Sequence, residues 1–157
     1  FSDDPFRVYG LGLTHKHIPE ITKWGGLGHA PLFVPSVGRF RQGMIVQVPL
    51  QLWSLPGDPG VASVHQALAN HYAGQRFVRV LSMAETAAMT GLQPRGLNGT
   101  SELHLHVFGN PEQGQAVVMG LVDNLGKGAS GQAVQNLNLM LGVAADTGLE
   151  PGDLGID

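Results

Sequence analysis

The 157-residue sequence contains no cysteine. Disulfides, cysteine-ligated zinc sites and a thiol nucleophile within these residues are therefore excluded. Charge is also sparse, at 13% Asp, Glu, Lys and Arg with a net charge of −3. A general nucleic-acid surface needs clustered Lys and Arg, and this balance does not supply it. Long apolar runs are missing as well. The longest, Ala116 to Val122, is interrupted by Gly120 and is far too short to cross a bilayer. The opening residues, Phe1-Ser2-Asp3-Asp4-Pro5, carry neither an initiator Met nor a basic-then-apolar signal pattern, and they read as an internal cut in a longer chain. Composition alone bounds the compartment only weakly.

What remains is an apolar content of 43%, ordinary for a globular protein. A chain of this size can bury roughly 70% of its unfolded surface in one domain. Arg7 to Leu13 is a plausible strand, and it runs into Thr14-His15-Lys16-His17-Ile18-Pro19-Glu20-Ile21. Pro19 suits the first position of a helix, and Glu20 suits the positive end of its dipole. That helix should end near Trp24, before Gly25-Gly26. Leu32 to Val37 reads as a short strand. Met44 to Leu52 alternates apolar and other residues with period two, and Pro49 predicts an edge or a bulge there. Val61, Val64, Leu68 and Tyr72 follow helical spacing up to Gly74.

Arg76 to Ser82 reads as a further strand, followed by a loop through Gly91, Pro94 and Gly96. Leu103, Leu105 and Val107 alternate with Glu102, His104 and His106, and a turn at Asn110 to Gly114 joins them to Gln115–Val122 as a hairpin. From Leu125, the residues Ala129, Ala133, Val134, Leu137, Met140 and Leu141 mark one helical face up to Gly142. Glu150 to Asp157 reads as a frayed tail. Hairpin-linked strands interleaved with three helices predict a single α+β domain.

Three clusters can carry chemistry. The first is His15-Lys16-His17-Ile18-Pro19-Glu20. Its bland reading is a helix start with exposed polar residues. Its functional reading is that a histidine at the positive end of a helix tends to stay neutral and can take a proton near neutral pH. Lys16 and the helix N–H groups would favour an anion beside it. A His-x-His pair can also ligate a metal, but no other ligand set has convincing spacing, so no metal site is expected. The second cluster, Asp123 to Ala133, opens the last helix with Gly126, Gly128 and Gly131. Each glycine costs a helix interior roughly 1 kcal/mol against alanine. Close packing is one explanation, with Asp123 or Asn124 as cap. Backbone approach to a ligand, with Lys127 supplying charge, is the sharper one. The third is Arg39 and Arg41, two arginines in three residues, either a solvated turn or a clamp for a carboxylate or phosphate. His104 and His106 read as a solvated or interfacial sheet face. His29, His65 and His71 have no informative companions.

Tyr9 to Ile21, Phe33-Val34-Pro35 through Gln42-Gly43-Met44, and Asp123 to Asn138 together resemble N-acetyl-gamma-glutamyl-phosphate reductase. The order and spacing match over nearly the whole chain. The H-K-H-x-P-E form, with Gln42 where longer relatives usually carry Arg, resembles the short type. That departure removes any arginine role at position 42. The resemblance implies a cytoplasmic enzyme of arginine biosynthesis that uses NADPH to reduce an acyl phosphate to a semialdehyde. A cysteine thioester is the intermediate, with the cysteine and the nucleotide-binding domain contributed by residues outside these 157, so that this piece alone should not turn over. It implies His17, with His15 close behind, as acid–base. Lys16, Arg39, Arg41 and Lys127 would bind substrate, and Asn124 would contact the nicotinamide of NADP. The implied fold is the C-terminal domain type of glyceraldehyde-3-phosphate dehydrogenase, a mostly antiparallel sheet with helices on one face and a homo-oligomer contact through the other. The last helix, about residues 124–142, would pack on the protein's own nucleotide-binding domain, and without it Leu137, Met140 and Leu141 should be exposed. Two alternatives accompany this reading. One is a related enzyme for an aminoadipyl or aspartyl phosphate, and the other is a non-catalytic binding or dimerisation module.

Overall fold

The computed structural model describes residues 5–149, and the Glu150–Asp157 tail and the first four residues lie outside them. The chain divides into two compact units, with the boundary between Arg41 and Gln42.

The first unit is a two-stranded antiparallel ribbon and a helix. Strand β1 (Phe6–Val8) pairs with β2 (Ser36–Gly38), Arg7 standing opposite Val37. The strand expected over Arg7 to Leu13 is cut short because the chain turns. The Leu13 N–H bonds the Gly10 carbonyl at 2.9 Å, with Gly10 at φ +65° and Leu13 at φ +53°. Helix α1 spans His17–Trp24. It begins two residues before the expected Pro19, which therefore occupies the third helical position. The substitution of sites is harmless, because the first four N–H groups of a helix have no intrahelical partner.

The second unit is built on a four-stranded sheet of order β3-β6-β5-β4, from β3 (Met44–Gln51), β4 (Val78–Val80), β5 (Leu103–Asn110) and β6 (Gln115–Val122). The hairpin is as the sequence predicts. Asn110 accepts the N–H groups of Glu112 and Gln113, and Gly114 supplies the left-handed residue at φ +57°. β3 is an edge strand, which is what Pro49 requires. The sheet is mixed, however, and not mostly antiparallel: β4 runs parallel to β5, Arg79 opposite His104. Parallel neighbours need a long crossover rather than a turn. The connection from Leu81 to Glu102 provides it, including a short helix α3 (Met83–Ala87) that the periodicity does not predict.

Helix α2 (Val61–His71) lies on the Val107 face of the sheet. Leu52, Val61, Val107 and Ala116 form the core there, with Leu50, Val64, Leu68 and Val118 around them. Burying a side chain such as Leu52, Val61 or Val107 stabilises the fold by about 1.5–3 kcal/mol. The opposite face carries His104 and His106. His106 is only 1% exposed, so the expectation of a solvated histidine face is corrected for that residue. A π-helical turn over Gly126–Ser130 follows β6 and leads into α4 (Gly131–Leu141). On α4, Leu137, Met140 and Leu141 are 51%, 84% and 66% exposed. Among the described residues no helix is long and apolar enough to cross a membrane.

Candidate active site

The histidine cluster of the first unit is assembled by the Gly10–Leu13 turn and the start of α1. The His15 ring lies 5.8 Å from Tyr9, 5.1 Å from Phe33 and 4.9 Å from His17 between centroids. Its Nδ1 accepts the backbone N–H of His17 at 3.3 Å. An N–H can only donate, so the proton of a neutral His15 ring resides on Nε2. His17 has the opposite arrangement. Its Nδ1 lies 2.7 Å from the Glu20 carboxylate, one helical turn on. A carboxylate accepts only, so Nδ1 carries the proton and Nε2 of a neutral ring presents its lone pair. Nε2 of His17 has no partner among the described residues, and the side chain is about half exposed. An exposed pair of this kind adds little to stability. Its consequence is the tautomer. Two adjacent histidines are thus poised oppositely, one as donor and one as acceptor.

Glu20 is the residue that sequence reasoning undervalued. Its spacing of three from His17 on a helix was the available signal, since side chains three apart share a face. Lys16 is exposed at the N-cap of α1. Arg39 and Arg41 are exposed beyond β2, with no side-chain partner among the described residues.

The second unit holds a separate polar cluster around Asp123, a carboxylate only 1% exposed. One carboxylate oxygen accepts the N–H groups of Leu125 (2.9 Å) and Gly126 (3.0 Å). The other accepts Gly99 N–H (2.8 Å) and the Gln42 side-chain amide (3.1 Å). Burial by itself opposes this charge, but the three backbone donors and Gln42 outweigh it and hold the carboxyl below its ordinary range. Next to it, the Asn124 side-chain oxygen accepts Gly43 N–H at 2.7 Å. Gly128 N–H reaches back five residues to the Asp123 carbonyl at 2.8 Å, the bond of a π-type turn. The glycines follow from these close approaches. A Cβ on Gly126 would meet the Asp123 carboxylate at 3.0 Å, and one on Gly131 the Gly126 carbonyl at 3.0 Å.

Lys127 is 8% exposed. Its ammonium donates to the Gln135 side-chain oxygen and lies 5.2 Å from the centre of the Phe77 ring. Burial pushes its pKa down from the ordinary lysine value. The lysine expected at a glycine-rich ligand loop is therefore packed beneath it. Among the described residues, no group of three His, Asp or Glu side chains is arranged to hold a metal ion.

The family model described as semialdehyde dehydrogenase, dimerisation domain, matches residues 2–124, across both units. The chain is 54% identical over 141 residues to the N-acetyl-gamma-glutamyl-phosphate reductase of Burkholderia ambifaria, covering 90% of this chain and 45% of that protein. It is 46% identical over 151 residues to N-acetyl-gamma-glutamyl-phosphate reductase 2 of a Nostoc species, covering 94% and 47%. The reductase of Brucella ovis is 53% identical over 135 residues, with 86% and 44% covered. The chain spans somewhat under half the length of these relatives. The match covers most of the chain's residues, and the fold of mixed sheet and helices is consistent with it: the chain belongs to the semialdehyde dehydrogenase dimerisation domain family.

Proposed function

We propose that these residues form the substrate-binding and dimerisation part of an N-acetyl-gamma-glutamyl-phosphate reductase. The reaction converts the acyl phosphate to N-acetyl-glutamate semialdehyde and releases inorganic phosphate. The observation that carries the reading is the His17–Glu20 pair, in a chain about half identical to proteins bearing that name.

The proton bookkeeping follows from the tautomers. His17 Nε2 takes the proton of a cysteine thiol contributed by residues outside these 157, and the thiolate attacks the acyl carbon. Phosphate leaves and a thioester remains. When bound, NADPH supplies the hydride that reduces this thioester. His17 then returns its proton to the departing sulfur, and Glu20 holds the imidazolium in place throughout. His15, with its proton on Nε2, donates to an oxygen of the substrate. Lys16, Arg39 and Arg41 hold the substrate carboxylate and phosphate, while Lys127 adds positive charge from its buried position. Asn124 fits a nicotinamide contact by its donor set. Its oxygen is engaged by Gly43, and its NH2 group has no partner among the described residues.

In the same reading, the exposed Leu137, Met140 and Leu141 of α4 dock on the nucleotide-binding part of the protein. The sheet makes the homo-oligomer contact, the topology is of the glyceraldehyde-3-phosphate dehydrogenase C-terminal type, and the enzyme works in the cytoplasm. The test is made on the complete protein that carries this sequence. Phosphate-dependent reduction of NADP+ by N-acetyl-glutamate semialdehyde is followed at the nicotinamide absorbance. His17→Asn should lower turnover by about 10²-fold or more, and Glu20→Gln by at least about tenfold. Wild-type turnover in His17→Asn would transfer the role to His15. Absence of the reaction in the unaltered protein, with an aspartyl or aminoadipyl substrate active instead, would replace the substrate.

A further inference from the structure

The hydrogen bonds of the second unit close a ring. Asp123 accepts the Gln42 side chain, Gln42 is bonded through the chain to Gly43, Gly43 donates to Asn124, and Asn124 is bonded to Asp123. The contacts join residues 81 apart in sequence. Asp123 also wraps the chain around Asn124 by accepting the N–H groups of the next two residues, Leu125 and Gly126. The orientation of the Asn124 amide is thereby decided. A backbone N–H cannot accept, so the oxygen must face Gly43 and the NH2 group must face away.

We infer that Asp123 is a positioning residue for the reaction, fixing Asn124 as a one-way hydrogen-bond donor toward an acceptor oxygen of the bound nicotinamide cofactor. The inference rests on the reductase reading for the identity of the ligand, but the ring itself does not. All four acceptor directions of the Asp123 carboxylate are filled, by three backbone N–H groups and one amide. No neutral side chain of the same size reproduces this. An asparagine at 123 would turn its NH2 group against at least one backbone N–H, whichever way it faced. Of the four donors only Gln42 could reverse itself to accommodate the change.

Two variants of the complete protein separate the roles. Asn124→Asp keeps an acceptor for Gly43 and removes the outward donor. Asp123→Asn keeps the donor and loosens the ring. Each should raise the KM for NADPH by about tenfold, the scale of one lost hydrogen bond. The double variant should be no worse than Asn124→Asp alone, because Asp123 acts only through Asn124. Multiplying effects in the double variant, or an unchanged KM in Asp123→Asn, would overturn the inference. If Asp123→Asn does not fold, Gln42→Met, which removes a single donor, takes its place with the same pattern at smaller size. A second readout does not depend on the reaction. Hydrogen exchange of the Gly43 amide should speed up about tenfold or more in Asp123→Asn or Gln42→Met, while the Val107 amide keeps its protection. Unaltered Gly43 exchange refutes the ring even if no turnover is found. Rapid turnover with an Asn124→Asp KM equal to the wild type refutes the donor role and leaves the reductase reading intact.

Discussion

Gly43→Ala is the most exacting perturbation of this second-unit cluster. Gly43 is buried, at φ +104°, and its N–H is the donor that orients Asn124. A Cβ placed there would lie 2.2 Å from the Pro94 carbonyl oxygen and 2.9 Å from the Asn98 side-chain oxygen, where ordinary contact begins at 3.4 Å. The loop through Pro94 would have to retreat by roughly 1 Å, a displacement a close-packed site does not absorb freely. Left-handed backbone in a residue with a Cβ costs roughly 1–2 kcal/mol. Losing the Gly43–Asn124 bond costs about 1 kcal/mol more. With partial relaxation of the loop, the sum is about 2–4 kcal/mol, or a fall in the thermal midpoint of about 4–16 °C for a domain of this size. Gly120→Ala is the matched control, since its nearest neighbours, Leu103 and Leu105, would be met at 3.7 Å. It lies within β6, where alanine is favoured over glycine by roughly 0.5–1 kcal/mol. The assay is a thermal scan of both variants beside the unaltered protein. A Gly43→Ala midpoint within about 2 °C of the parent would refute the argument, because the shift expected from 2 kcal/mol is larger than that.

Two further outcomes concern buried titratable groups. Burial, with the nearby His104 and Arg79 charges, pushes the His106 pKa below its ordinary 6.5, against the opposing pull of the Met119 carbonyl and Glu85. The unfolded chain then binds the proton more readily, so stability is fully present above pH 6.5 and declines as pH falls from 6.5 through the folded value. His106→Phe, which keeps the stacking on Phe108, should flatten that decline; urea midpoints measured at steps from pH 7 to 5 check it, and an unchanged slope would remove His106 as the cause. Lys127→Met deletes a charge that burial disfavours and leaves an apolar side chain in its buried place, so the thermal midpoint should hold or rise by up to a few degrees. If Lys127 contributes field to the substrate, the acyl-phosphate KM should rise about two- to fivefold, and unchanged kinetics would assign the residue to packing alone.

What the sequence made legible was local. The β5–β6 hairpin could be read because its alternation and its Asn110-to-Gly114 turn lie within a few residues of each other, α1 because Pro19, Glu20 and its glycine stop do, and α2 because its apolar spacing and glycine stop do. Helix α3 carried a local signal too, the Ser82-to-Glu85 spacing of a capping box, but its five residues show no periodicity to draw attention to it. The parallel pairing of β4 had no such mark, since nothing in Val78–Val80 states which strand will lie beside it. His106 misled for a related reason. Alternation tells which residues share a face, but not whether that face is covered, and the cover here comes from elsewhere in the fold. The site divides along the same line. His15, Lys16, His17 and Glu20 are neighbours in sequence, and their order already contains the i, i+3 contact that sets the His17 tautomer. From the residues themselves Asp123 and Asn124 read only as a cap beside a run of glycines, and the nicotinamide contact of Asn124 came from the family resemblance alone. Their function in the fold depends on Gln42 and Gly43, 81 residues away, and on Gly99, and no pattern in the sequence pairs any of these three with Asp123 or Asn124. A buried carboxylate with four donors is specified by the whole second unit at once, which is why substitutions remote from the reacting atoms, at 42, 43 and 123, are expected to register in cofactor binding.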